Sequence, residues 1–218
     1  MAKRLISVSK GKISSSAVKI AVISVSLSVA VMLISMAVII GFKNEIVNKA
    51  VGFSASINIV NRESAENLET KPVSLNQDFY PQIENEAGIS KIQPYIIKPA
   101  VFKSGGQISG VALKGISKDY DKSFFEKNMV SGVFEVNDTT GGKKIVISQK
   151  MADLLQINTG DDLIAYFIQN PLRMRKFVVS GIYSTGLEEY DKLVALVDMT
   201  ELQKLNSWTE IRLLVLKL

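Results

Sequence analysis

The hydrophobic positions begin in one uninterrupted block. Residues 20–40 (IAVISVSLSVAVMLISMAVII) hold no charged side chain. Twenty-one residues at about 1.5 Å each make a helix of roughly 30 Å, which matches the hydrocarbon core of a bilayer. The pattern then becomes two-sided. Phe42, Ile46, Val47, Ala50 and Val51 follow an i, i+4 stripe while Lys43, Glu45, Asn48 and Lys49 take the other face, so the helix is predicted to continue as an amphipathic stalk over 42–53. Gly52 is a suitable C′ residue to end it. A separate interfacial helix after a break at Gly41 is the alternative.

Farther along, the period shortens. Residues 55–60 (ASINIV) alternate like a strand. Residues 61–77 are polar and read as loop, and 78–86 as a short helix with Phe79, Ile83 and Tyr80 on one side. Residues 89–113 are β-rich and broken by Pro94, Pro99 and a Gly105-Gly106 hairpin turn. A helix is expected over 120–129 with Phe124 and Phe125, and a strand over 144–148. Ser148 should N-cap a helix through Leu155, with Met151, Leu154 and Leu155 inward. Strands at 162–168 and 176–183 flank the segment 169–175 (QNPLRMR), and another strand covers 193–197. Asp198 opens a last helix with Glu201 in capping-box spacing. The fold class is α+β: one N-terminal transmembrane helix with a stalk, then an α+β domain over 54–218.

Charge sets the direction of insertion. The net charge is +5, but residues 1–50 carry seven Lys/Arg and one acid, while the remainder carries nineteen Lys/Arg and twenty acids. Lys3, Arg4, Lys10, Lys12 and Lys19 precede the apolar block. The positive-inside bias therefore makes 1–19 cytoplasmic, 20–41 membrane-spanning and everything after 42 exported. No basic patch with interleaved aromatics is present, so nucleic-acid binding is not expected. A cleaved signal peptide and a buried core helix are the rival readings of the block. Against the first, the small-x-small triplet Ser35-Met36-Ala37 is followed by three more apolar residues.

The chain has no Cys and no His, which removes thiol nucleophiles, Cys/His zinc sites and His-based triads. The Ser104-Gly105-Gly106-Gln107 run matches the core of the ABC ATPase signature, yet no G-x-x-x-x-G-K-[ST] loop accompanies it, so it reads as a hairpin turn. Asp119, Asp121, Asp161 and Asp162 read as caps and turns, and 188–191 (EEYD) as a solvated loop. Asn137-Asp138-Thr139 is a glycosylation sequon whose weight depends on compartment. No catalytic residue, cofactor site or metal site is assigned. A membrane-anchored hydrolase would need a nucleophile and base that no constellation supplies.

Two features point to partners. Ser24, Ser28 and Ser35 share a helix face and suit close helix–helix packing, though serine can also bond its own i−4 carbonyl. Gln169, Asn170, Pro171, Leu172, Arg173, Met174 and Arg175 form a hairpin tip unusually rich in apolar and Arg residues, which suits a contact surface.

Residues 20–60, with Gly41-Phe42, Glu45-Ile46 and Gly52-Phe53 at the helix exit, resemble the first membrane helix and stalk of lipoprotein-releasing ABC transporter permeases. These belong to the FtsX-like and MacB-like group. The segments 114–134 (KGISKDYDKSFFEKNMVSGVF), 147–161 (ISQKMADLLQINTGD) and 177–198 (FVVSGIYSTGLEEYDKLVALVD) resemble the family's periplasmic domain. The resemblance implies a bacterial inner-membrane permease that works by mechanotransmission. A cytoplasmic ABC ATPase subunit would bind the ATP, and a second permease subunit, same or different, would complete the membrane part. It also implies a periplasmic lipoprotein carrier gripped by a hairpin hook at 169–175, shorter here than in the family. Val38, Ile39, Ile40, Gly41 and Phe42 match the region near the lipoprotein acyl chains. The family's three later membrane helices and its coupling helix have no counterpart, and 209–218 (TEIRLLVLKL) does not read like the family's continuation. The expectation is therefore an N-terminal portion of a permease, truncated, frame-disrupted or cut. Alternatives are a single-pass anchored binding or sensor module, or a family permease for toxin export or cell-wall hydrolase control.

Overall fold

The computed structural model describes residues 15–54, 57–59, 89, 91–136, 143–206 and 213–217. The basic residues Lys3, Arg4, Lys10 and Lys12, the helix expected at 78–86, the loop at 61–77 and the sequon lie outside them. The chain divides into two compact units, residues 1–48 and 49–218.

One helix, α1 (Ser15–Phe53), runs 39 residues without interruption, about 58 Å at the usual rise. It passes through Gly41, so the predicted continuation into the stalk holds and the break does not occur. The segment is long and apolar enough to cross a membrane, and residues 17–48 are exposed on every side. An apolar surface all round the helix, exposed over residues 17–48 among the described residues, suits lipid rather than a protein core. Gly52 lies inside the last turn rather than beyond it.

The second unit is built on strands β1 (Ile57–Ile59), β2 (Lys91–Ser104), β3 (Gln107–Ile116), β4 (Met129–Gly132), β5 (Lys144–Ser148), β6 (Asp162–Phe167), β7 (Arg173–Tyr183), β8 (Val194–Asp198) and β9 (Leu213–Lys217). Its short helices are α2 (Ser123–Lys127), α3 (Gln149–Leu155), α4 (Glu188–Asp191) and α5 (Met199–Asn206). Among the described residues the strands form one sheet in the order β1-β9-β2-β3-β8-β5-β7-β4, and β6 bridges β7 back to β2. The path β2-β3-β8-β5-β7-β6 therefore closes into a ring. The β3·β8 and β5·β7 pairs are parallel and the others in the ring antiparallel.

The alternation of side chains sorts two cores onto the two faces of this sheet. Ile145 and Ile147 of β5 and Ala195 and Val197 of β8 join α3 and α5 in the larger core, with Phe102, Leu113 and Phe177. Val146 and Leu196 point the other way and meet Phe53, Ile116, Tyr120, Phe125 and Tyr183. Strands buried on both faces read as continuous apolar runs, which is why KIVIS and VALV were legible as strands.

Several expectations are corrected. β2 passes unbroken through both prolines. The N–H of Ala112 donates to the carbonyl of Leu193, 2.7 Å, away from β2. Pro99, which faces Ala112 in register, therefore owes β3 no donor. The helix expected over 120–129 is only five residues, because Met129 is drawn into β4 opposite Tyr183. The EEYD loop is the helical turn α4 with Asp191 buried. Leu154 is exposed while Met151 and Leu155 are buried. Residues 213–217, in the tail that does not read like the family's continuation, pair with β1 and β2. The Ser148 cap is as expected, its Oγ accepting from the N–H of Met151.

Candidate functional site

The most elaborately built place in the second unit surrounds the last turn of α1, residues 49–53. Phe53 is buried, and its ring meets four others. Centroids lie 5.5 Å from Phe124, 5.5 Å from Phe125 and 6.0 Å from Tyr183 at tilted or edge-on angles, and 4.9 Å from Tyr190 in a stack. These are the distances at which aromatic pairs gain beyond simple burial. The ring of Phe124 also lies flat over Gly52. A Cβ there would fall 2.3 Å from it, so glycine is required for close approach rather than as a helix stop.

The backbone end of the helix is held separately. The carbonyl of Phe53 belongs to the set with no partner inside the helix. It accepts a hydrogen bond from Nζ of Lys114 on β3, 2.5 Å away. Lys114 is 3% exposed and also donates to Oη of Tyr120 at 2.9 Å. Its ammonium sits 4.9 Å from the Tyr120 ring and 5.2 Å from the Tyr95 ring, within cation–π range. A cation at a helix C-terminus is also favoured by the helix dipole. Burial pushes the phenols of Tyr95, Tyr120 and Tyr183 upward, with Asp121 adding to the effect at Tyr120 and Asp191 at Tyr183. All three therefore remain neutral phenols.

Beside the joint, Asp191 is 2% exposed. It accepts from the N–H and Oγ1 of Thr185, 3.1 and 2.8 Å, and from the N–H of Gly186, 3.2 Å. Its carbonyl takes the hydroxyl of Ser148, the residue that caps α3. Since Tyr190 stacks on Phe53, the two neighbours in α4 tie the helix end to the α3 cap.

The residues expected to face partners are dispersed. Val38, Ile39, Ile40, Gly41 and Phe42 are consecutive and exposed, so they spread around α1 rather than sharing a face. Ser24, Ser28 and Ser35 lie on one side, but the Ser28 hydroxyl donates to the Ser24 carbonyl at 2.9 Å, the in-helix alternative. In the hairpin, the loop is 168–172 and Arg173, Met174 and Arg175 are already strand, with Phe167 opposite Arg173. Ile168, Leu172 and Met174 are exposed by 79%, 64% and 63%. The arginines turn to the opposite face from Met174. Arg173 donates to the carbonyl of Leu205 at the end of α5, 2.6 Å, and Arg175 to the carbonyl of Met174. The exposed apolar side chains of the tip are thus Ile168, Leu172 and Met174, and Arg173 is tied to the end of α5. Ile168 belongs to the exposed tip and was missed because it continued the strand pattern of β6. Asp121 and Asp161 act as turn acceptors, for Ser123 and Asn158, as expected.

The model of the MacB-like periplasmic core domain family matches residues 20–218. The chain belongs to that family. It is 28% identical over 130 residues to the lipoprotein-releasing system transmembrane protein LolC of Neisseria meningitidis serogroup B, covering 55% of this chain and 30% of that protein. It is 23% identical over 177 residues to the protein of the same name from Xylella fastidiosa, covering 78% and 41%. The chain thus spans well under half the length of these curated relatives. Among solved structures, the periplasmic region of MacB from Actinobacillus actinomycetemcomitans aligns with a TM-score of 0.49 at 14% identity, over 74% of this chain and 72% of that one. The extracellular domain of the noncanonic ABC-type transporter YknZ from Gram-positive bacteria aligns at 0.48 and 18%, over 74% and 80%. The family match runs to residue 218 and so includes the tail that the sequence pattern had set apart.

Proposed function

We propose that this chain is the N-terminal part of an ABC transporter permease subunit whose task is lipoprotein release from the inner membrane. One observation carries the reading. A helix apolar enough for a bilayer continues without a break into a MacB-like domain, and its last turn is held there by both ring and backbone. Mechanotransmission needs such a continuous element, because movement started by a cytoplasmic ATPase has to reach the exported domain. The basic N-terminus keeps that end cytoplasmic and the domain periplasmic. The partners are the ATPase subunit, which binds the ATP, a second permease subunit, and a periplasmic lipoprotein carrier met by the apolar tip Ile168, Leu172 and Met174. Val38 to Phe42 would then lie near the acyl chains, and Ser24, Ser28 and Ser35 against partner helices.

The test is reconstitution of the full-length subunit with its ATPase in proteoliposomes that hold a triacylated lipoprotein. ATP-dependent appearance of lipoprotein on a soluble carrier supports the reading. ATP hydrolysis with no lipoprotein released turns it toward toxin export or cell-wall hydrolase control. Failure to bind any ATPase overturns it in favour of an anchored binding module.

A further inference from the structure

We infer that Lys114 is the coupling residue of this joint, the side chain that fixes the end of α1 to the sheet so that a displacement of the helix end is delivered to β3. The inference rests on the transport reading above and names the atom pair through which that movement passes.

Phe53 is held in two physically different ways. The ring sits among Phe124, Phe125, Tyr183 and Tyr190. These contacts, with Phe124 packed over Gly52, fix which side of the helix end faces the domain, but they leave its backbone carbonyl to be satisfied. The bond from Lys114 Nζ to the Phe53 carbonyl is directional and charge-assisted. It adds a tie to the backbone that resists displacement of the last turn along the bond. The lysine chain is itself held in place by Tyr120, through the hydroxyl and the ring face, and by the Tyr95 ring.

The strand that carries Lys114 is suited to spread such a displacement. Lys114 faces Ile97 of β2 on one side and Leu196 of β8 on the other. β2 in turn carries β6, the first strand of the exposed hairpin. A buried ammonium is a poor means of stabilising a domain, since an apolar side chain of similar length often serves packing as well or better. Its presence in the otherwise apolar run VALKGI is explained by what it grips.

The experiment uses the full-length subunit with its ATPase in proteoliposomes, comparing wild type with Lys114→Met and Tyr120→Phe. Lipoprotein released per ATP hydrolysed is measured alongside hydrogen exchange of the amides of residues 51–54. We expect Lys114→Met to keep ATP hydrolysis and a folded domain, to release markedly less lipoprotein per ATP, and to exchange those amides roughly tenfold to a hundredfold faster, the scale of one lost charge-assisted bond. Tyr120→Phe, which keeps the ring, is expected to give an intermediate increase and covers the case in which the methionine variant does not fold. Unchanged exchange in a folded Lys114→Met, or in Tyr120→Phe if the methionine variant is unfolded, overturns the inference. So does faster exchange with unchanged release per ATP. If wild type releases nothing, the transport reading fails, and the exchange comparison still decides whether Lys114 holds the helix end.

Discussion

Lys114 and Phe53, sixty-one positions apart, are joined by a 2.5 Å bond from a buried ammonium to a helix-terminal carbonyl. The pair makes the last turn of α1 part of the domain core rather than a linker. Truncating the ring tests that directly. Phe53→Ala removes the centre of a five-ring cluster and should destabilise the domain by about 3–5 kcal/mol, the range for buried Phe truncations. Denaturant unfolding followed by tyrosine fluorescence would read the shift in midpoint. A loss under about 1 kcal/mol would mean that the ring is dispensable.

Gly52→Ala sets helix propensity against packing. Alanine gains up to about 1 kcal/mol over glycine within a helix, but its Cβ would lie 2.3 Å from Phe124. Overpacking of this kind costs about 1–3 kcal/mol, so the substitution should be net destabilising. In a double-mutant cycle, adding Phe124→Leu should recover part of the loss. Additive effects would show that the ring and Gly52 do not press on each other.

Asp191→Ala leaves the buried N–H and hydroxyl of Thr185, and the part-buried N–H of Gly186, without their acceptor. Each orphaned group costs about 1–3 kcal/mol, so the variant should unfold well below wild type in a thermal scan. Asp191→Asn, which keeps one acceptor oxygen, should fall between the two.

Glu201 on α5 receives Lys143 at 3.2 Å and Lys204 at 2.9 Å. Burial works against its ionisation, but the hydrogen bonds and charges of the two lysines outweigh that and hold its carboxyl below the ordinary value of 4.5. A carboxyl lowered in the folded state stabilises the fold above its unfolded value, and that stabilisation disappears as pH falls through the folded value. The contribution is small, under about 1 kcal/mol, because the lysines are partly solvated. The difference in unfolding midpoint between wild type and Glu201→Gln should therefore be present at pH 7 and vanish at acid pH. A difference independent of pH would assign the effect to packing.

Met174→Asp and Leu172→Asp alter exposed positions and should leave stability within about 0.5 kcal/mol of wild type. If the tip grips a carrier, both should abolish its capture on immobilised full-length protein. Unchanged capture would move the contact elsewhere.

The long helix and much of the sheet were legible because their signals are local. A charge-free block, a run such as KIVIS and a serine three residues before Met151 each carry their own physical cause. What stayed hidden depends on distant partners. The unbroken course of β2 through Pro99 needs Ala112 to spend its N–H on Leu193. The burial of Asp191 needs Thr185 and Gly186 to fold over four polar residues that look solvated. Lys114 had one local trace, a lysine alone in an apolar strand of period two, whereas its partner Phe53 could not be inferred from spacing. The hairpin was legible, but its loop is 168–172 rather than 169–175, and strand pairing turned Arg173 and Arg175 to the face opposite Met174, which sequence spacing alone could not decide.

The pairing of β1 with β9 has a mechanical consequence. Ile57, Asn58 and Ile59 lie opposite Leu216, Val215 and Leu214, and the bonds of such a ladder run perpendicular to the strands. Tension applied along β1, the first strand after the long helix, therefore loads the ladder in shear. All of its bonds must yield together, whereas a strand pulled sideways unzips them one after another. The first strand of the domain is placed to resist a tug along its own axis better than its short length would suggest.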